Sequence, residues 1–207
     1  MDEAGGFTIS NLKNLAFKGG KVLIVRHIIG FLVNFIGGVI LARVLGPEIL
    51  GLYFISYTLF VVFRAIIDFG IQTHFIRIPD NPNITDIRTA FTLQQAVSLF
   101  CVVLIILIVA PFASRWYGHK ELFYLIVSSG IGVYFYSWQS IPLALLERKL
   151  EYDKVGIIEV SEILIFNLIA VIGVLSGIGI FGLAIGNVLR GIVPAVFATV
   201  FTKLHRN

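Results

Sequence analysis

Between Val22 and Phe201 the chain is a succession of apolar stretches, separated by short segments rich in Gly, Pro, Asn, Asp and charge. A helix needs about 20 mainly apolar residues to cross roughly 30 Å of hydrocarbon. Six stretches have that length: residues 22–42, 52–76, 90–112, 122–146, 155–175 and 178–201. Unpaired backbone groups are not tolerated in lipid, so such runs fold as helices or as a closed barrel. These are too long and too continuous for barrel strands. The expected fold is all-α and polytopic, with six spans. Composition agrees: 57% of residues are hydrophobic and 14% charged, where a soluble domain carries roughly 25% charged residues.

The breaks carry turn chemistry: "LGPEILG" at 45–51, "IPDNPNITDIR" at 78–88, "SRWYGHKE" at 114–121, "ERKLEYDK" at 147–154 and "SGIG" at 176–179. The last is short enough to predict a tight antiparallel hairpin. Residues 1–21 interleave Phe7, Ile9, Leu12, Leu15 and Phe17 with polar residues, as an amphipathic cytoplasmic lead-in would. The expected organisation is that lead-in, a six-helix lobe at 22–201 and a cytoplasmic tail at 202–207. The first stretch is too long for a signal core and lacks a clear cleavage site, so it reads as a retained helix.

Cytoplasmic loops are enriched in Lys and Arg. With the N-terminus inside, the inner segments hold Lys13, Lys18, Lys21, Arg77, Arg88, Arg148, Lys149, Lys154, Lys203 and Arg206, and the outer loops only Arg43, Arg115 and Lys120. Both termini are thus expected on the cytoplasmic side. The same placement explains a pI near 9.3 without nucleic acid as a partner. The lone cysteine, Cys101, excludes a disulfide within the chain.

Three arginines, Arg26, Arg64 and Arg190, fall inside the apolar stretches. Arg64 lies twelve residues from Leu52 and Arg190 twelve from Ile178, which puts each roughly 18 Å deep in a helix. An arginine at that depth costs on the order of 2.5–3.5 kcal/mol and needs a partner or water. Asp68, one turn beyond Arg64, is the nearest acid and either neutralises it or orients it in the wall of a hydrated cavity. Two arginines at one level suggest a site for an anion. Arg26 and His27 lie near the inner end of the first stretch, where Arg26 either snorkels or forms the mouth of the same cationic path. Glu159 and Glu162 share one helix face; Glu162, roughly 12 Å in from Lys154, requires a basic partner, for which Arg26 is a candidate. Glu162 or Asp68 is alternatively a site for a coupling proton or sodium ion.

No metal-ligand spacing, Walker loop or Ser/His/Asp arrangement stands out. No other cofactor is expected. "GVLSG" at 173–177 and "GLAIG" at 182–186 fit the small-residue template for close helix packing. "YFYSWQSIP" at 134–142 crowds aromatics beside a proline that can kink its helix, and these rings either pack or line a sugar or prenyl path.

Residues 37–77, with "LARVLGPEILGLY" at 41–53 and "DFG" at 68–70, together with "TAF" at 89–91, "APFASRWYG" at 110–118 and "IPLALLERKLEYDKVGIIEV" at 141–160, carry a family resemblance. The chain resembles the polysaccharide biosynthesis proteins, flippases of lipid-linked oligosaccharides in the multidrug/oligosaccharidyl-lipid/polysaccharide exporter superfamily. The resemblance implies a plasma-membrane transporter, not an enzyme. It implies a cargo of polyprenyl-pyrophosphate-linked oligosaccharide, moved for O-antigen, capsule or exopolysaccharide assembly beside a polymerase and glycosyltransferases. It also implies two pseudo-symmetric lobes around a central cavity, as in the multidrug and toxin extrusion (MATE) transporters, with alternating access between them. This chain is expected to be one lobe, the N-terminal half, working with a second lobe or a second copy. Arg64 and Arg190 are the residues to which the anion-binding role transfers. The competing expectations are a membrane-embedded glycan- or lipid-modifying enzyme and a non-transporting interaction partner.

Overall fold

The computed structural model describes the backbone of residues 9–77 and 83–203 and the side chains of 24–77 and 83–202. Residues 1–8 of the lead-in and 204–207 of the tail lie outside the described residues; residues 9–21 form the first turns of a helix. The described residues form helices joined by short turns, without strands: α1 (Ile9–Asp68), α2 (Ile71–Arg77), α3 (Ile84–Leu104), α4 (Ala110–Tyr117), α5 (Lys120–Arg148), α6 (Tyr152–Leu175) and α7 (Ile180–Lys203). A π-helical turn, Ile105–Val109, joins α3 to α4.

The first expected break is a kink, not a loop. Gly46 sits at φ 78° and ψ 170°, a region open essentially only to glycine, and Pro47 follows without an N–H to continue the ladder. Two helical arms, 9–45 and 47–68, meet there. The second arm ends at Asp68 rather than running on to residue 76, because Phe69 and Gly70 take positive φ. The third apolar stretch extends beyond its expected limits, from Ile84 to Tyr117, and widens into the π turn just before Pro111, whose missing N–H breaks the regular ladder. Gly118, at φ 74°, caps α4. Gly177 and Gly179, both at positive φ, close the expected α6–α7 hairpin.

Among the described residues, four helical segments are long and apolar enough to cross a membrane: Ile24–Asp68, Ile84–Tyr117, Tyr152–Leu175 and Ile180–Thr202. The first contains two of the expected spans, one on each side of Gly46. The expected fourth span, α5, is outside this set because serines, tyrosines and Gln139 dilute its apolar residues. That helix is instead the hub, packed by α1, α2, α3, α4 and α7.

Three crossings set the geometry. Gly173 and Gly182 face each other between α6 and α7, where a Cβ on Gly173 would stand 2.6 Å from the Gly182 Cα. On α5 and α7, a Cβ on Gly132 would strike the Asn187 carbonyl, and one on Gly191 the Gly132 carbonyl. On α1 and α6, a Cβ on Gly30 would stand 2.8 Å from Ile163 Cδ1, and one on Gly37 would strike the Asn167 amide. Small residues let the backbones approach and gain dispersion contacts without a solvent-driven force. An apolar cluster around Leu122, Leu125, Leu183 and Ala170 fills one end of the bundle, and one around Leu143, Leu146, Val155 and Ile158 the other. Polar side chains lie between them.

Candidate functional site

The middle of the bundle holds two polar constellations of different character. Ser56 Oγ on α1 donates to the Leu125 carbonyl at 2.8 Å and lies 2.7 Å from Ser129 Oγ on α5, while Asn187 Nδ2 on α7 donates to Ser129 Oγ at 3.0 Å. All three side chains are buried. This neutral knot ties three helices together inside the bundle.

The other constellation lines a cleft of about 840 Å³ between α1, α6 and the middle of α7. Arg64 Nη1 donates to Glu162 Oε1 at 3.3 Å, and Arg190 Nη2 donates to the same oxygen at 3.0 Å. The three residues come from α1, α7 and α6, so one carboxylate oxygen gathers three helices. Arg190 and Glu162 are about nine-tenths buried, whereas Arg64 is 33% exposed and opens to the cleft. Aromatic faces hold both guanidiniums: Arg64 lies 3.7 Å over the Tyr136 ring, and Arg190 lies 4.1 Å over Phe60 and 5.4 Å from both Tyr57 and Phe166. Such faces attract a cation without discharging it. Arg190 Nε is buried without a hydrogen-bond partner among the described residues, and a buried orphan donor is costly unless something accepts from it.

Arg26 pairs with Glu159 farther along the same cleft, with His27 Nε2 3.4 Å from Arg26 Nη2. Three arginines and two glutamates line the cleft, which leaves one positive charge in excess. Asn34 and Asn167 bridge α1 to α6 at 2.9 Å in its wall.

The structure therefore joins Arg64 and Arg190, which the sequence set at one depth, but supplies a different acid. Asp68 does not pair with Arg64; its Oδ1 accepts from Ser140 Oγ of α5 at 3.0 Å. On a helix that ends at Asp68 the acid turns toward α5, and Arg64 toward α6. Likewise Arg26 takes Glu159 rather than Glu162, being too near the end of the cleft to reach the deeper acid. Glu162 serves Arg190, which has no acid within a helical turn of its own. Sequence reasoning missed Asn34, Asn167, Tyr53 and Tyr57. Gly30, Asn34 and Gly37 recur at helical spacing in an apolar stretch, and that stripe is the signal that finds the α1 wall.

Outside the cleft, Gln95 of α3 and Ser137 of α5 share two hydrogen bonds, at 3.0 and 3.2 Å. At the end of α5, Gln72 donates to Glu147 at 3.3 Å. Burial pushes the Glu147 carboxyl above its ordinary range, against the opposing pull of Gln72 and Arg26.

This arrangement, a cationic cleft walled by apolar helices with aromatic rings behind each arginine, can hold an anionic group against apolar surface. No curated protein and no solved structure gives a significant match. Residues 40–206 match the family described as polysaccharide biosynthesis protein. That span takes in Arg64, Glu162, Arg190 and all of α2–α7, so this is a helical membrane protein that belongs to the polysaccharide biosynthesis protein family.

Proposed function

We propose that the chain is a flippase lobe, a transporter and not an enzyme, that moves a polyprenyl-pyrophosphate-linked oligosaccharide across the plasma membrane for cell-surface polysaccharide assembly. One observation carries the reading: Arg64 and Arg190, from helices far apart in sequence, converge on a single oxygen at the wall of a cleft with excess positive charge. A pyrophosphate presents several oxygens at guanidinium spacing, and an arginine held by an aromatic face and one carboxylate retains donors for them. Sugar hydroxyls find partners in Asn34, Asn167 and Tyr57 along the same cleft.

In this proposal the protein spans the membrane six times, the two arms of α1 and the hub α5 included, with both termini cytoplasmic. The lobe resembles half of a MATE-like transporter, and a second lobe or a second copy supplies the facing wall. The cargo is an O-antigen, capsule or exopolysaccharide unit, so glycosyltransferases act before this step and a polymerase after it. A proton or sodium ion taken up at Glu162, Glu159 or Asp68 drives the cycle.

The deciding experiment is export of surface polysaccharide in cells whose only copy is Arg64→Ala or Arg190→Ala, with membrane abundance measured in parallel. Loss of export at normal abundance is expected for both. Normal export from both would overturn the assignment of the site. Reporter fusions at each end test the orientation, with cytoplasmic signal expected from both.

A further inference from the structure

We propose that Glu162 is a built-in counter-anion, which holds Arg64 and Arg190 while the cleft is empty of cargo, yields them to a diphosphate and reclaims them when the cargo leaves. The proposal rests on the reading of the cleft as an anion site and deepens it by naming the residue that limits affinity.

Two guanidiniums from different helices share Glu162 Oε1 instead of each having an acid of its own. The carboxylate thus sits where a phosphate oxygen would bridge both arginines. Removing the acid leaves two like charges side by side in an apolar wall, with an orphan Arg190 Nε between aromatic rings, and any anion that arrives is gripped hard. A transporter needs a ligand to leave as well as to arrive, so binding must stay moderate. A carboxylate anchored on α6 meets that need, because its effective concentration beside the arginines is high and, once displaced, the buried and unpaired acid competes to regain them and repels the diphosphate. The exchange also removes one tie of α6 to α1 and α7, while the Asn34–Asn167 bond and the Gly173–Gly182 contact remain. Glu159 offers Arg26 the same service at a shallower place, where exposure weakens it.

The test uses the full chain purified in zwitterionic detergent, titrated with inorganic pyrophosphate and followed by phosphorus NMR, beside export measured in cells. Glu162→Gln is expected to bind pyrophosphate at least about tenfold more tightly while slowing export, since a removed like charge in a shielded site is worth more than a decade of affinity. Glu162→Asp, which keeps the charge but withdraws it by one methylene, is expected to tighten binding about threefold. Arg190→Gln should weaken binding. If Arg190→Gln weakens binding and Glu162→Gln does not tighten it, the counter-anion is overturned and the anion site stands. If Arg190→Gln leaves binding unchanged, the anion site falls and the counter-anion with it. Where Glu162→Gln fails to fold, Glu162→Asp decides: tightening supports the proposal and unchanged affinity overturns it.

Discussion

The α5–α7 crossing and the α1–α6 crossing are both built on glycine and both carry polar residues, yet one is closed and the other opens into a cleft. At α5–α7, Gly132 and Gly191 bring backbone against backbone, and short neutral side chains, Ser128, Ser129 and Asn187, satisfy one another inside. At α1–α6, Gly30 and Gly37 bring the helices together only locally, and beyond them the pairs Arg26–Glu159 and Arg64–Glu162 bridge the helices along a cleft. Short neutral groups make a permanent seam because each bond replaces water once and for all. Long charged groups cannot be buried as tightly, and their partners can be exchanged for a ligand's charge.

The largest effect is expected from sealing the seam against itself. Gly132→Val drives a branched side chain into the Asn187 carbonyl and should destabilise the bundle by about 3 kcal/mol, seen as loss of folded protein on heating in detergent. Wild-type stability would mean the seam is looser than the backbone contact implies.

Arg190→Gln comes next. It strips one of two cations from a buried carboxylate, for an expected loss of about 2 kcal/mol together with export. The double variant Arg190→Gln, Glu162→Gln should recover about half of that stability through their coupling and none of the export. Recovery of export by the double variant would mean that Arg190 serves packing alone.

Ser129→Ala and Asn187→Ala cut the neutral knot and should each remove about 1 kcal/mol while leaving export intact. That outcome separates the seam from the cleft; export lost at normal abundance would merge them. The smallest effect belongs to Arg26→Gln, because its pair with Glu159 is partly exposed: under about 1 kcal/mol in thermal unfolding. A larger loss would make the mouth of the cleft as structural as its depth.

Glu147 adds a pH dependence outside the apolar stretches. Its carboxyl is raised by burial, so the folded state binds its proton more readily than the unfolded chain does. Its ionisation therefore disfavours folding, and stability should decline as pH rises from the unfolded carboxylate range through the raised folded one. Glu147→Gln should flatten that decline in a thermal-unfolding series across pH.

Much of the site was legible from depth alone. Counting from Leu52 and from Ile178 places Arg64 and Arg190 level with each other, because a helix rises by a fixed step per residue. The pairing was not legible. Asp68 is the closest acid to Arg64 along the chain, but the acid that meets it lies 98 residues away. Which way a side chain turns at a helix end depends on which neighbour packs there. The role of α5 was hidden as well: residues 122–146 read as one span among six, although its buried serines and Gln139 belong to a helix packed by most of the others.

What the sequence by itself determined is local and periodic: apolar runs that must be helical in lipid, the turns at Gly118 and Gly177–Gly179, the break at Gly46–Pro47, and the small residues that allow close crossings. Only the tertiary structure decided that Glu162 stands between two arginines, that Asp68 belongs to Ser140, and that α5 occupies the centre. Hydrogen-bond geometry along a helix is set by its own residues. Partners across helices are set by crossing angle and rotation, which result from packing the whole bundle at once.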